Sequence, residues 1–246
     1  MNLSQVGSVL LSLTLLSSTC LAADSASLQT ATQNIVNFHV VVPNMIYRGA
    51  RPGAHADIKP KDIDADEYEK LVLSQNMRTL KNLGVKTIVD LQGGDTSVDV
   101  RIPDAPAKYG RDLSLLIDLI NHYLEPGERN TSIRNEQAQA KMNQIRFEHH
   151  PLNSIQPVTA QEDIEIKNIL KIMNNKDNQP VYVHCEHGHD RTGMIIALYQ
   201  VCFNNQDPEA AYNDMIGAGH NPNDHVTESM DIYFWRAVAS PKFCQF

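Results

Sequence analysis

The chain predicts an α/β fold: one domain with a central, mostly parallel sheet flanked by helices and carrying a helical insertion. Three observations predict it. Short Val- and Ile-rich runs alternate with segments of helical period along the 246 residues, the pattern of layered strand and helix. Helix boundaries are marked by capping signals. One strand, Val181–Val183, passes through a tight loop directly into an apolar helix beginning near Met194.

In order, residues 1–23 carry no charged side chain, with an apolar run from Val9 to Leu16 and small residues at Cys20-Leu-Ala-Ala23. This resembles a secretory signal peptide and is too short for a membrane span, so export to a periplasmic or extracellular compartment is expected, with a cytoplasmic location as the alternative. The main domain is expected over 24–246. Ala23 to Gln33 reads as a loose segment and Ile35 to Val42 as a strand. Asp64 to Leu83 reads as a helix with Leu73, Met77, Leu80 and Leu83 on one face, stopped by Gly84. Val85 to Leu91 is a buried strand. From about residue 93 to residue 144 an insertion follows, too long for a plain loop. In it Leu113, Leu116, Ile117, Ile120 and Leu124 make a helical stripe ended by Glu125-Pro126-Gly127, and Asn135 to Ile145 is a second helix.

Ile145 to Leu152 is the next strand. Thr159 and Glu162 make a capping box for a helix from Ala160 to Asn174, with Ile164, Leu170 and Met173 on or near its buried face. Asp207-Pro208 supplies the N-cap and first residue of another helix. A last helix near Asp224 to Ala239 carries Trp235, the only Trp.

Net charge is −8, which disfavours nucleic acid as a partner. An acidic chain that binds phosphate must gather positive potential locally. Four cysteines, one of them in the leader, do not make a disulfide framework. Cys202 reads as a core residue, and a bridge from Cys202 to Cys244 is open in an oxidising compartment.

The chemistry concentrates in His184-Cys-Glu-His-Gly-His-Asp-Arg-Thr-Gly193. Five residues between Cys185 and Arg191 let the backbone wrap one phosphoryl group, with the amides of Glu186, His187, Gly188, His189 and Asp190 turned inward as an anion nest. The next helix adds its N-terminal dipole. A thiol in that field ionises readily and becomes a nucleophile. Arg191 offers a planar fork for phosphoryl oxygens, Thr192 a hydroxyl for the sulfur, and Gly188 the backbone freedom of a tight cradle. His184 braces the loop. His184, Cys185, His187 and His189 also crowd metal-ligand types together, but a second ligand pair is missing and the loop favours an anion. Neither metal nor cofactor is implied.

His-Cys-x5-Arg-Thr-Gly in this context resembles the signature of the Cys-based protein tyrosine and dual-specificity phosphatase superfamily. Tyr47-Arg-Gly-Ala-Arg-Pro52 resembles a stretch near the start of many bacterial and atypical members that packs beside the active site, which places Arg48 or Arg51 at the pocket edge; ordinary surface charge is the competing reading. The resemblance implies attack of Cys185 on phosphorus, a phosphocysteine intermediate and its hydrolysis by water. Many relatives take the leaving-group proton from an Asp after the strand that ends here at His149-His150-Pro151, but this chain reads Leu152-Asn153-Ser154 there. Cys-x-x-Gly-x-Asp-Arg-Thr resembles instead the lipid-active and bacterial subset with the acid inside the loop, which makes Asp190 the candidate. A neighbouring phosphate should raise its pKa. Fixing Arg191 or capping the helix is the competing role, and His189 and Asp95 are reserves. Phosphorylated protein ranks first as substrate, phosphoinositide or inositol polyphosphate second. A phosphate-recognition module without turnover is the third reading.

Overall fold

The computed structural model describes residues 25–55, 63–93, 126–224 and 227–245. The leader, Asp95 and the 113–124 stripe lie outside the described residues. The elements are α1 (Ser25–Asn34), β1 (His39–Val42), β2 (Ile46–Ala50), α2 (Ala65–Asn82), β3 (Thr87–Asp90), α3 (Pro126–Met142), β4 (Arg146–His149), α4 (Ala160–Asn174), β5 (Val181–Cys185), α5 (Asp190–Asn204), α6 (Pro208–Gly217) and α7 (Glu228–Val238).

Strand order is β1-β2-β5-β3-β4. Among the described strands only β1 runs antiparallel, against β2; β5 is parallel to both β2 and β3, and β3 to β4. The expected mostly parallel α/β sheet is therefore present. Cys185 ends the central strand, paired with Ala50, while His184 pairs with Asp90. Ligand sites of parallel sheets form beyond the carboxyl ends of the strands, and the Cys185 loop occupies that edge.

The period-2 alternation of β5 sorts its residues between two cores. Val181, Val183 and Cys185 face a core built with α4, α5, α6 and α7. Tyr182 faces the other, with Leu73, Met77 and Leu80 of α2, Ala31 of α1 and Ala140 of α3. The nucleophile strand is thus buried on both faces, which fixes its register.

Local signals account for most boundaries. Asp64 caps α2 through Asp66 N, and the Thr159–Glu162 capping box opens α4. Asp207 accepts from Glu209 N and Ala210 N ahead of Pro208. Gly84 adopts φ +77°, as the αL stop of α2 requires.

Four expectations need correcting. Ser25–Asn34 is a helix rather than a loose segment, because Ala31 and the following Ile35 dock into the α1–α2 core. The strand after it is consequently shorter, starting at His39. The helix before β4 begins at Pro126, not Asn135, since Pro suits a first turn as well as a stop. On α4 the buried stripe is Ile166, Ile169, Leu170 and Met173, whereas Ile164 is 52% exposed. No helix among the described residues is long and apolar enough to cross a membrane.

Candidate active site

Cys185 is a free thiol at the end of β5, 3% exposed. Burial opposes its ionisation. The Arg191 charge, the Thr192 hydroxyl and amide, and the Gly188 amide outweigh that and hold the thiol below its ordinary pKa. Thr192 is fully buried, and its hydroxyl is among the groups that favour the thiolate. Arg191 is aimed by Leu91 at the end of β3, whose carbonyl accepts from Nη1 at 3.2 Å.

The loop is shaped from behind. Gly188 has φ +74°, and a Cβ there would collide with the Gly49 carbonyl of β2. Both facts demand glycine. Arg48, expected at the pocket edge or on the surface, is instead 3% exposed beneath the loop. Its Nη2 donates to the carbonyls of Gly188 at 2.5 Å and His189 at 3.5 Å. Asn37, itself in the left-handed region at φ 53°, donates to Gly188 O at 3.1 Å, His187 O at 3.4 Å and Ala218 O at 3.0 Å. Carbonyls held on the far side leave the opposed amides facing the cradle. Burial lowers the Arg48 guanidinium to about 10, with the anions of Cys185 and Asp190 pulling the other way, so it stays charged at neutral pH.

Arg51 is 15% exposed and also sits against the loop. Its Nε donates to Glu186 at 2.7 Å, and Nη1 to Glu69 of α2 at 2.5 Å and to Ser132 of α3 at 2.9 Å. Burial opposes its charge, but the two carboxylates raise its pKa on balance. One guanidinium therefore joins the loop to two helices.

His184 lies on the opposite face of β5 from Cys185. Its Nε2 is 2.7 Å from Glu136 of α3, and its Nδ1 donates to Cys185 O at 3.2 Å and lies 3.8 Å from Asp90 of β3. Asp90 in turn holds His149 Nδ1 at 2.8 Å and accepts from Gln92 N at 2.8 Å. Burial would neutralise His184, but Glu136 and Asp90 raise it to about 9. An imidazolium between two carboxylates thus braces the residue before the nucleophile.

Asp190 is the first residue of α5, with no side-chain cap bond from its neighbour His189. Its Oδ1 lies 2.7 Å from Nδ1 of His220, whose Nε2 lies 2.8 Å from Oδ1 of Asp231 on α7. Burial does favour the acid form, but His220, with smaller contributions from His189 and Arg191, holds the Asp190 carboxyl below its ordinary value. His187 is exposed and His189 half-buried, with ring centroids 6.0 Å apart at the loop. Burial lowers His189 despite Asp190 beside it. Gly219 at φ +104° leaves room for the His189 ring. Gly193 leaves room for Met215 of α6, whose Cγ would be 2.7 Å from a Cβ.

Leu152-Asn153-Ser154 itself carries no carboxylate. Asn153 is spent on the amides of Ile155 and Gln156, and its own amide donates to Glu162. Among the described residues no group of His, Cys, Asp and Glu is arranged to hold a metal ion.

The structure gathers the contiguous motif, Arg48 and Arg51 around one loop. The sequence reading missed Asn37, Asp90, Glu136, His220 and Asp231. His220, three residues after the end of α6 and eleven before Asp231, gave a faint signal. Glu136 gave none, because a Glu on a polar helix reads as solvent-facing.

The tyrosine phosphatase family model matches residues 65–211. Over 69 residues the chain is 29% identical to the dual specificity protein phosphatase TpbA of Pseudomonas aeruginosa (strain UCBPP-PA14), covering 28% of this chain and 32% of TpbA. The match thus spans about a third of that curated relative's length. Among solved structures, P. aeruginosa TpbA is similar at a TM-score of 0.48 with 19% identity, over 82% of this chain and 84% of that one. The core catalytic domain of the PP-IP phosphatase SIW14 from S. cerevisiae, in complex with citrate, is similar at 0.45 with 16% identity, over 85% and 94%. With the family model running from α2 through the Cys185 loop to the start of α6, the chain belongs to the tyrosine phosphatase family.

Proposed function

We propose that this family member hydrolyses phosphate monoesters through a phosphocysteine, acting on phosphorylated protein as a tyrosine or dual-specificity phosphatase. The observation that carries the reading is the placement of the free Cys185 thiol at the end of β5, at the mouth of a loop whose amides, with Arg191 and Thr192, favour its thiolate. The Cys185 thiolate attacks phosphorus, and the bond to the leaving oxygen breaks. Charge on the transferring group is met by Arg191 and the loop amides, the main source of catalysis in phosphoryl transfer. Asp190 gives the leaving oxygen its proton. Water then displaces the sulfur.

The curated relative named a dual specificity protein phosphatase supports the protein substrate. A second reading, phosphoinositide or inositol polyphosphate, draws on His187 and His189: two imidazoles at the loop suit a further phosphate when protonated. The protein is further read as exported. The Cys202–Cys244 disulfide supports an oxidising compartment.

Phosphate release from phosphopeptides, phosphoinositides and inositol phosphates under reducing, chelated conditions tests the reading. Turnover of phosphopeptides well above the others is expected and should vanish in Cys185→Ser. Preference for the inositol phosphates selects the second reading. No release from any substrate by the wild-type chain leaves a phosphate-recognition module.

A further inference from the structure

His220 is 2% exposed, and each of its ring nitrogens lies within hydrogen-bond distance of a carboxylate oxygen, Asp190 Oδ1 at 2.7 Å and Asp231 Oδ1 at 2.8 Å. A neutral imidazole has one N–H and one lone pair. Both contacts are attractive only when a proton lies in each. Two arrangements satisfy this with the same two protons. In one, an imidazolium lies between two carboxylates. In the other, a neutral imidazole donates to Asp231 and accepts from a protonated Asp190. Moving one proton along the 2.7 Å contact converts Asp190 from anion to acid, with no heavy atom displaced.

We propose that His220 is the proton store for Asp190, a positioning residue that hands the carboxyl the proton the leaving oxygen will take and receives it back after hydrolysis. The inference rests on the reading of Asp190 as the acid. A phosphate dianion in the loop repels the Asp190 charge and favours the second arrangement. As the thiolate forms its bond to phosphorus, the electron pair of the broken P–O bond goes to the leaving oxygen, which takes the Asp190 proton. Asp190 is then a carboxylate beside a neutral His220. When water attacks, its proton goes to Asp190, the S–P electron pair returns to sulfur, and the starting proton count is restored.

The surroundings fit. Asp231 is 16% exposed and is hydrogen-bonded by Tyr212 of α6, whose ring centroid lies 6.2 Å from that of His220. On the loop side Asp190 faces His220, and His189 and Arg191 act in turn on the Asp190 charge. Burial disfavours a charged His220, but the two carboxylates raise its pKa overall. Asp190 gives His220 only Oδ1 and keeps 32% side-chain exposure; Oδ2 is engaged by no other described residue, leaving an oxygen for the substrate.

The test compares His220→Gln, which keeps a hydrogen bond to Asp190 but stores no proton, with the wild-type chain. Aryl phosphates of graded leaving-group pKa are followed across pH. For phenyl phosphate kcat should fall on the order of tenfold or more, part of the usual general-acid contribution, and for dinitrophenyl phosphate by less than about twofold. The alkaline limb of kcat/KM should move down by about one pH unit or more, because Asp190 loses the imidazole that retains the shared proton. Equal losses for all leaving groups with an unmoved limb overturn the proposal. Asp190→Asn is the control for its foundation. If that variant loses all substrates equally, the acid reading itself fails. If it is selective while His220→Gln is not, only the proton store fails. Should His220→Gln not fold by circular dichroism, Asp231→Asn carries the test: a smaller downward move of the same limb supports the store, and an unmoved limb overturns it.

Discussion

Glu136 Oε1 and His184 Nε2 meet 2.7 Å apart, both buried, on the face of β5 opposite the nucleophile. This contact gives α3 a defined place behind the site. Glu136→Gln keeps the shape and removes the charge. It should cost on the order of 3 kcal/mol, the scale of breaking a buried ion pair. The sign with pH follows from His184. Its folded value is raised to about 9 from an ordinary 6.5, so the stabilisation is full below about 6.5 and lost as pH rises through about 9. Urea unfolding of both proteins should show a gap at pH 6.5 that narrows by pH 9. A constant gap would mean that packing rather than charge holds α3.

Gly188 and Gly84 separate backbone conformation from crowding. Both have positive φ, +74° and +77°, but nothing lies within 4 Å of a Cβ at 84, whereas one at 188 strikes Gly49. Gly84→Ala should cost about 1–2 kcal/mol from the left-handed backbone alone. Gly188→Ala should add about 1–3 kcal/mol of overpacking and raise KM as the cradle is pushed forward. Thermal melts and Michaelis constants check this; equal costs at the two sites would remove the tight β2–loop approach.

The thiol of Cys185 offers a reading of the cradle without substrate. Its alkylation by iodoacetamide should rise with pH around a midpoint below the ordinary value near 8.5 for free Cys. Arg191→Ala should move that midpoint up the most, since Arg191 is the largest of the favourable influences, and Thr192→Val should move it up by less. An unshifted wild-type midpoint would remove the activated nucleophile.

What the sequence made legible follows the range of the forces involved. The Cys185–Gly193 loop, the Thr159–Glu162 box and the Gly84 stop depend on residues a few positions apart, so their chemistry is written contiguously. Arg48 and Arg51 were marked by a motif, but not their burial, which depends on which strand lies beside β5. Glu136, His220 and Asp231 approach the loop from 30 to 50 positions away. Beyond the faint signal at His220, nothing in their neighbours distinguishes them from surface charge; only the sheet order and the packing of α3 and α7 make them partners of His184 and Asp190. Ser25–Asn34 illustrates the same limit in the fold, since its helix is decided by a tertiary face at Ala31 and Ile35 rather than by its Ser- and Thr-rich composition.

The Cys202–Cys244 disulfide closes a separation of 42 residues around α6 and α7. Loop-closure entropy assigns such a bridge about 4 kcal/mol. Cys202 lies twelve residues into α5 from Asp190, so about 18 Å of helix separates it from the loop. Stability and catalysis should therefore part company. Cys202→Ala/Cys244→Ala should lower Tm by about 10 °C while kcat/KM in reducing buffer stays within about twofold of wild type. Reductant should bring the wild-type Tm down to that of the double variant without slowing turnover, because the thiolate at Cys185 must itself be reduced to act. Identical melting of the two proteins before reduction would mean the bridge contributes nothing. A joint loss of Tm and activity would mean that α5 transmits strain from its far end to the loop, against the rigidity expected of a helix whose own Ile195, Leu198 and Tyr199 are buried.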